Sequence, residues 1–278
     1  MSRRRDLDLK LHGLLEIREI LDSMKNLAVM ELRRLDRFAG AQRQAVATIA
    51  EAAADFARFF PEFCAGAAGG SVTLVLGSER GFCGDFNETL LRRVPPGATA
   101  VLVGSRLAGK AEPHRPVAAT LPSASVVEEV EPTLVRIVNA LGEAAGGSLG
   151  PLLVSVIHHS PPHGQVGVSL LHPFTEPVSP NRYSSPPLLY LEPAVLAKEL
   201  TEQYLLARLH QLLYDSLTAE NHARVAHMEA AVRQLDERCV ELKKRGQSLR
   251  QEEITQEIEV IMLGAELVRP TSVSTSAN

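Results

Sequence analysis

The C-terminal part of the chain carries a heptad pattern that restricts what the protein can fold into. Apolar residues recur there at alternating steps of three and four, which is typical of a helix that lies along a partner helix. No proline occurs between Pro193 and Pro270, so the pattern predicts a helix over residues 192–268. The residues with this spacing are Val225, Met228, Val232, Leu235, Cys239, Leu242 and Leu249, followed by Ile254, Ile258, Ile261, Ala265 and Val268.

The length of this helix is the next constraint. Some 75 helical residues span ~110 Å, whereas a compact globule of this chain length has a diameter of about 50 Å. The helix must therefore break, with Gly246 as the expected place, or extend beyond a globular part. An extended helix with an apolar stripe needs a partner helix.

A second long helical pattern lies at the N-terminus, over residues 6–60, and Pro61 ends it. Two long amphipathic helices at opposite ends of a chain predict an antiparallel coiled coil. Two ordinary broken helices in a bundle are the alternative. The apolar residues of the N-terminal pattern are Ile17, Ile20 with Leu21, Met24, Leu27 with Ala28, Leu32, Leu35, Ala39, Ala45, Val46, Ile49, Ala53, Phe56 and Phe60.

The region between the two helices has the pattern of a small Rossmann-like α/β domain. Short β-branched and aliphatic runs bounded by glycine or proline predict strands that alternate with helices, and hence a largely parallel sheet. The predicted strands are residues 71–78, 98–105, 151–159 and 165–174, and the predicted helices follow at 79–94 and 126–145.

The remaining stretches of this middle region are predicted to be irregular. Asp85 or Asn87 is expected to cap the helix in 79–94, and Pro132 is expected to mark the start of the helix in 126–145. Residues 113–125 are predicted to form a loop, 65–71 a flexible joint and 173–187 a connector. The resulting division of the chain is 1–64, 65–190 and 191–278.

Composition excludes several classes of protein. A net charge of −4 disfavours nucleic acid as a partner. The three cysteines, Cys64, Cys83 and Cys239, are far apart and predict neither a disulfide framework nor a metal site. No apolar run reaches the roughly 18 residues of a membrane span. The basic start of the chain lacks the apolar segment of a signal peptide.

The stretch GSERGFCGDFN, residues 77–87, lies where the first strand passes into a helix. Backbone N–H groups in such loops can bind phosphate, but the stretch matches neither the dinucleotide-binding nor the P-loop motif. We therefore predict a structural turn whose glycines permit tight packing. Cys83 has no base assigned to it and is not expected to be catalytic. The residues given this structural role are Gly77, Arg80, Gly81, Cys83, Gly84 and Asn87.

Three histidines, His158, His159 and His163, invite comparison with a metal site. Their spacing, at a strand end and in a proline-containing loop, is not a recognised ligand pattern, so a solvated loop is expected. No nucleophile elbow and no acid/base pair of carboxylates is identified. Neither a metal nor a cofactor is predicted.

Three stretches of the chain carry a family resemblance. RQEEITQEIEVIMLGAELV (250–268) resembles the C-terminal signature of the gamma subunit of F-type ATP synthases. GSERGFCGDFN resembles that family's second signature, and LDSMKNLAVMEL (21–32) resembles its N-terminal region. The three occur in the family's order, and helix, α/β domain, helix is the family's layout, so the resemblance covers essentially the whole chain.

The resemblance implies a non-catalytic rotor. The family's subunit turns inside a ring of alpha and beta subunits and meets the epsilon subunit and the ring of c subunits at its foot, coupling ion translocation to ATP synthesis or hydrolysis. It implies a peripheral location on the cytoplasmic face of a bacterial inner membrane. The expected beta-subunit catch comprises Arg250, Gln251, Thr255, Gln256, Glu257, Met24 and Lys25, and the expected epsilon and c-ring foot comprises Tyr190 and Glu192.

Departures from the family pattern indicate a divergent branch, such as an alternative (N-type) bacterial ATPase. Glu19, Leu21 and Asp22 stand where the family has a lysine-rich segment. At the tip, Ile261, Met262, Leu263 and Val268 are expected to make apolar, weakly specific contacts. Two other functions stay open, a coiled-coil scaffold unrelated to rotation and an enzyme that binds a nucleotide at residues 77–87.

Overall fold

A computed structural model describes residues 2–64, 71–112, 116–144, 153–161, 164–175 and 185–267. Short 3-10 turns occur at Pro61–Phe63, Val127–Glu129 and Pro173–Thr175. Within the described ranges, the helices are α1 (Ser2–Phe59), α2 (Phe86–Leu91), α3 (Ser105–Ala108), α4 (Val130–Ala144) and α5 (Pro193–Leu267), and the strands are β1 (Ser71–Leu76), β2 (Ala100–Val103), β3 (Val117–Leu121), β4 (Leu153–Ser160) and β5 (Gln165–Leu170).

The chain forms two compact units. One contains residues 1–24 and 229–278, and the other contains residues 25–228. The sequence-based division into three segments stays a prediction. The expected joint over residues 65–71 lies outside the described residues except for Ser71, and so does most of the connector expected over 173–187.

The larger unit is built around a five-stranded sheet in the order β3-β2-β1-β4-β5. β1, β2, β3 and β4 are parallel to their neighbours, and β5 returns antiparallel to β4 as a hairpin. The strand pattern predicted this small α/β domain, and the structure confirms it. β1 lies at the centre, and Leu74 and Val75, which point to opposite faces, are both fully buried.

Two predictions for this sheet region are wrong in detail. Residues 113–125 were expected to be a loop, but β3 occupies Val117–Leu121. This edge strand is short and largely exposed, so it lacks the continuous apolar run that reveals a buried strand. α4 begins at Val130 rather than at Pro132. Pro132 is tolerated there because the N–H groups of a helix's first turn have no partner within the helix.

The two faces of the sheet are covered by different cores. On one face, α4 and the part of α5 within this unit pack on β1, β2 and β4, and Leu35 of α1 joins them with its side chain fully buried. On the other face, α2 and α3 pack on the sheet around Val75, Leu90 and Leu107. The α5 residues in the first core are Leu205, Leu209, Leu212, Leu213, Tyr214 and Leu217.

The smaller unit is an antiparallel pair of helices. Nε of Arg18 on α1 lies 2.6 Å from Oδ1 of Asp236 on α5. Nearer the beginning of α1, Leu11 lines a groove with Leu242 and Gly246. Residues nearer the beginning of α1 therefore lie beside residues nearer the end of α5. This arrangement confirms the predicted antiparallel coiled coil. α5 remains helical through Gly246, so the break considered at that residue does not occur.

The structure decides between adjacent apolar residues of the predicted α1 seam. Leu21 and Ala28 are buried, whereas their predicted neighbours Ile20 and Leu27 are exposed. Ile17 is also exposed, contrary to the prediction. Adjacent apolar pairs such as Ile20–Leu21 generate two parallel stripes, and spacing alone does not say which one faces the partner. Seam residues of α5 are buried at Met228, Val232 and Cys239, while Ile254, Ile258 and Ile261 are exposed.

Among the helices that the structure describes, none is both long and apolar enough to cross a membrane.

Replacing Val232 by Asp tests the seam of the smaller unit. Val232 is 8% exposed, so the substitution buries a carboxylate without a partner and is expected to lower the free energy of unfolding by roughly 3 kcal/mol. Ile20→Asp is the matched control because Ile20 is 58% exposed, and it is expected to cost less than about 0.5 kcal/mol. Urea unfolding followed by helical circular dichroism measures both. Equal effects of the two substitutions would contradict the seam.

Candidate functional site

Residues 77–87, here called the signature loop, connect β1 to α2. The N–H of Ser78 donates to Oδ1 of Asn87 over 3.0 Å, and Nδ2 of Asn87 donates to Oγ of Ser78 over 2.8 Å. Both residues are almost fully buried. Asn87 thus joins the two ends of the loop and does not cap α2. Asp85 occupies the N-cap position of α2, as one of the two predictions had it, but its side chain makes no capping hydrogen bond.

The glycines of the signature loop differ in how strongly they are required. A Cβ on Gly77 would lie 2.5 Å from Cβ of Leu107 and 2.8 Å from Oδ1 of Asn87, so no larger residue fits there. Gly84 has a φ of 64°, which glycine adopts without steric cost. A Cβ on Gly81 would meet nothing within 4 Å. Gly77 and Gly84 are therefore required by the turn, and Gly81 is not.

Glu79 ties the signature loop to two neighbouring segments. Its carboxylate accepts hydrogen bonds from the N–H of Ser105 (3.0 Å), the hydroxyl of Ser105 (2.6 Å) and the N–H of Ser123 (2.8 Å). Partial burial by itself would raise the pKa of Glu79, but these hydrogen bonds outweigh it and hold the pKa below its ordinary value. The loop is thereby fixed to the start of α3 and to the segment after β3.

A buried ion pair on α5 closes the signature loop from its other side. Glu220 pairs with Arg224, and its carboxylate accepts hydrogen bonds from the backbone of Glu79 and Arg80. Nε of Arg224 donates to the carbonyl of Gly81 over 3.3 Å. Burial raises the pKa of Glu220 to about 7, and Arg224 opposes that rise. Loop N–H groups that could have bound a phosphate are thus already occupied by a carboxylate of the same chain.

Cys83 lies inside this arrangement and is buried. Its thiol lies 3.4 Å from Oγ of Ser78 and 3.8 Å from the carbonyl of Arg80. Burial raises the pKa of Cys83, so its thiol stays protonated and weakly nucleophilic. The chemistry of the loop is therefore that of a packed structural turn.

The histidines of β4 do not lie in a solvated loop as expected. His158 and His159 are both buried within the strand, and His163 lies outside the described residues. His159 packs against the Phe86 ring at 4.0 Å, and its Nε2 lies 2.9 Å from the Phe86 carbonyl. His158 Nε2 lies 3.0 Å from Oγ of Ser169. Within the part of the chain that the structure describes, no three metal-ligating side chains come together.

The residues expected to contact a beta subunit lie on two helices. Arg250, Gln251, Thr255, Gln256 and Glu257 are exposed on α5 in the smaller unit. The hydroxyl of Thr255 donates to the carbonyl of Gln251 over 2.9 Å within the helix. Arg250 lines a groove of about 240 Å³ with Leu11 and Gly246. On α1, Met24 belongs to the smaller unit and Lys25 to the larger one, and both side chains are half-buried.

The residues expected at the foot are Tyr190 and Glu192. Both lie directly before α5, in the larger unit. Tyr190 is 94% exposed, and its neighbours Leu188, Leu191 and Glu192 are exposed as well. Contiguous large apolar side chains in water mark an interaction surface.

Sequence reasoning missed the residues that hold the signature loop in place. Glu79 lies inside the recognised stretch, but its partners Ser105 and Ser123 lie in other segments. Glu220 and Arg224 are more than 130 residues away from the loop. A charged i, i+4 pair directly after the leucine-rich part of α5 was the available signal.

Comparison with known proteins decides the family. A family model described as ATP synthase matches residues 3–268. The chain belongs to the ATP synthase gamma-subunit family. The residues matched extend over both terminal helices and the sheet region. A search of curated proteins found no match.

Solved structures with the same fold come from mitochondrial ATP synthases. A chain of the Euglena gracilis OSCP/F1/c-ring structure in rotational state 3 aligns with a TM-score of 0.70 at 14% identity, covering 100% of this gamma-family chain and 99% of that chain. A chain of the Euglena gracilis rotor in rotational state 1 aligns with a TM-score of 0.66 at 12% identity, with 91% and 99% covered. The Tetrahymena thermophila central stalk/c-ring structure aligns with a TM-score of 0.54 at 17% identity, with 76% and 99% covered.

Removing the carboxylate of Glu220 tests how the gamma-family chain holds its signature loop. Glu220→Ala leaves Arg224 buried without a counter-charge and is expected to cost about 3–5 kcal/mol of unfolding free energy. Glu202→Ala is the control because the Lys198–Glu202 pair has the same spacing on α5 but is exposed, and its loss is expected to cost less than about 1 kcal/mol. Denaturant titration of the full-length chain measures both. A Glu220→Ala cost no greater than that of the control would contradict the buried pair.

The buried histidines predict acid sensitivity of the larger unit. Burial lowers the pKa of His158, of His172 and of His210. The unfolded chain then takes up protons before the folded chain does as the pH falls, so the histidines remove stability below about pH 6.5. His158→Gln is expected to lose less stability than the native chain between about pH 7 and pH 5. Thermal unfolding at several pH values measures the difference, and parallel pH profiles would contradict the prediction.

Proposed function

We propose that this chain is the central rotor subunit of an F-type ATP synthase. It is a non-catalytic shaft that couples ion translocation through a membrane sector to ATP synthesis or hydrolysis at beta subunits. The chain belongs to the gamma-subunit family. The observation that carries the proposal is the exposed apolar stripe of Ile254, Ile258 and Ile261 near the end of α5.

An exposed apolar stripe lies near the end of α5, in the smaller unit. Ile254, Ile258 and Ile261 follow one another there at helical spacing, and all three side chains are exposed. An apolar stripe in water requires an external partner. The proposed partner is the ring of alpha and beta subunits, which accepts the tip as a socket.

The proposed mechanism is mechanical. Ile254, Ile258 and Ile261 lie along one side of the helix and the exposed Val260 lies on another, so the helix presents different faces to each of three beta subunits. Each beta subunit is then biased towards a different nucleotide state, because a conformation is favoured by the contacts that stabilise it. The beta-subunit catch predicted on α5 supplies polar contacts beside this stripe, and charge-assisted hydrogen bonds there give the contact its specificity.

The foot is the proposed contact with the epsilon subunit and the ring of c subunits. Tyr190 and Glu192 are exposed, together with Leu188 and Leu191. Related support comes from two of the similar structures, an OSCP/F1/c-ring assembly and a central stalk with its c-ring, which contain chains with this fold. Contact through this foot gives a peripheral location at the cytoplasmic face of a bacterial inner membrane. Membership of a divergent branch of the family stays a prediction.

The signature loop argues against the nucleotide-binding enzyme. Its N–H groups at Ser78, Glu79 and Arg80 bond to side chains of Asn87 and Glu220. A phosphate would have to displace a buried carboxylate that is paired with Arg224. The scaffold alternative explains the coiled coil but leaves the exposed stripe of Ile254, Ile258 and Ile261 without a defined partner.

Co-purification of the tagged, full-length chain from its native cells tests the proposed function. Recovery of alpha and beta subunits in threefold excess, with ATPase activity in the same fraction, is expected. Recovery of the folded chain without these subunits would overturn the rotor proposal. In that case, calorimetric titration with ATP would separate the enzyme from the scaffold.

The catch is tested by the double substitution Gln251→Ala and Thr255→Ala. Loss of interface hydrogen bonds worth ~1.4 kcal/mol is expected to lower ATP-driven ion pumping about tenfold. Helix formation is expected to be little affected, because the Thr255 hydroxyl donates to the Gln251 carbonyl of the same helix. The control is Glu241→Ala with Arg245→Ala, an exposed pair at the same spacing on α5. Equal pumping by both double variants would contradict the assigned catch.

A further inference from the structure

Glu31 makes an unusual contact for a residue of a long helix. It lies on α1, but its largely buried carboxylate accepts a hydrogen bond from the backbone N–H of Val127 over 2.7 Å. Val127 begins the 3-10 turn that leads directly into α4. A negative charge at the start of a helical segment is favourable, because the free N–H groups there carry partial positive charge. Glu31 thus links α1 to the sheet region within the larger unit.

Two neighbours of Glu31 strengthen this link. Nη2 of Arg34, one turn further along α1, lies 3.0 Å from Oε1 of Glu128 in the same 3-10 turn, and its Nη1 lies 3.8 Å from Oε2 of Glu31. Leu35 is fully buried in the core that β1, α4 and α5 form. Glu31, Arg34 and Leu35 therefore each connect this segment of α1 to the sheet region.

The nearest carboxylate of the 3-10 turn is used elsewhere. Oε2 of Glu129 accepts hydrogen bonds from both the N–H and the hydroxyl of Ser125, each over 2.8 Å, and these contacts hold the pKa of Glu129 below its ordinary value. The N-cap residue Val126 makes no side-chain capping hydrogen bond. The N–H of Val127 is instead bonded by Glu31, from a distant part of the chain.

Apolar and polar contacts restrain motion in different ways. The packing of Leu35 is non-directional and tolerates small rotations of α1 against the core. A hydrogen bond weakens steeply when its angle changes, and one made by a carboxylate is stronger than a neutral one. The Glu31 contact therefore resists rotation of the sheet region relative to α1, which the apolar contact alone does not.

We propose that Glu31 is a positioning residue that fixes the orientation of the sheet region on α1 and so transmits torque from the sheet region into that helix. This inference rests on the proposed rotor function, because torque has meaning only in a rotor. α5 provides a second, independent attachment, because its leucines pack on the sheet. Glu31 supplies the directional part of the attachment on the α1 side.

The torsional stiffness of the assembled complex tests this role. The complex is held by its alpha and beta subunits, a probe is attached to the sheet region, and the angular variance is recorded during pauses. Glu31→Ala is expected to raise the variance up to about twofold, because two parallel attachments add their stiffnesses and the mean-square displacement varies inversely with stiffness. Glu31→Gln is expected to stay closer to the native value, because its amide oxygen still accepts the Val127 N–H.

Glu16→Ala is the matched control, because Glu16 is an exposed residue of α1 whose carboxylate lies 3.3 Å from Nε2 of the exposed His12. An unchanged variance in assembled Glu31→Ala complexes would overturn the inference. Where Glu31→Ala does not assemble, Glu31→Asp decides, because its shorter side chain withdraws the carboxylate from the Val127 N–H: a raised variance supports the role, and native variance overturns it. Failure of the native chain to assemble with alpha and beta subunits would instead overturn the proposed function.

Discussion

The structure of the larger unit depends on the burial of one face of α5 against the sheet. Leu209, Leu212 and Leu213 are almost completely removed from water, and each such side chain contributes roughly 1.5–3 kcal/mol. Directly after these leucines, Ser216 donates to the carbonyl of Leu76 over 3.2 Å, which joins the helix to the end of β1. The same helix then supplies Glu220 and Arg224 to the signature loop. Apolar burial thus sets the position from which the polar contacts are made.

The polar contacts add specificity to this packing. A buried ion pair is costly to desolvate and contributes less net stability than its short distance suggests. Glu220 and Arg224 nevertheless meet defined partners, the backbone of residues 79–81. A helix displaced by one turn would keep the two charges paired with each other, since both lie on α5, but would separate them from their loop partners. The pair therefore selects one register of α5 on the loop, whereas the leucines alone would tolerate several.

Features of the fold that depend on local sequence were predictable, whereas contacts between distant segments were not. β1, β2, β4 and β5 were predicted because each is a local apolar run, and β3 was missed because it is a short, mostly exposed edge. The helices of the coiled coil were predicted from their spacing, but spacing did not decide between Ile20 and Leu21, of which only Leu21 is buried. The partners of Glu79, Glu31 and Glu220 lie in distant segments, and no local pattern specifies such pairings.

The signature loop explains how a strand-to-helix turn can resemble a phosphate site without being one. Such a turn presents free N–H groups, and in this chain Asn87 and Glu220 take that position. The carboxylate of Glu220 occupies the place an anionic ligand would need. Filling the turn from within leaves the proposed rotor responsive to the mechanical contacts at its tip and its foot.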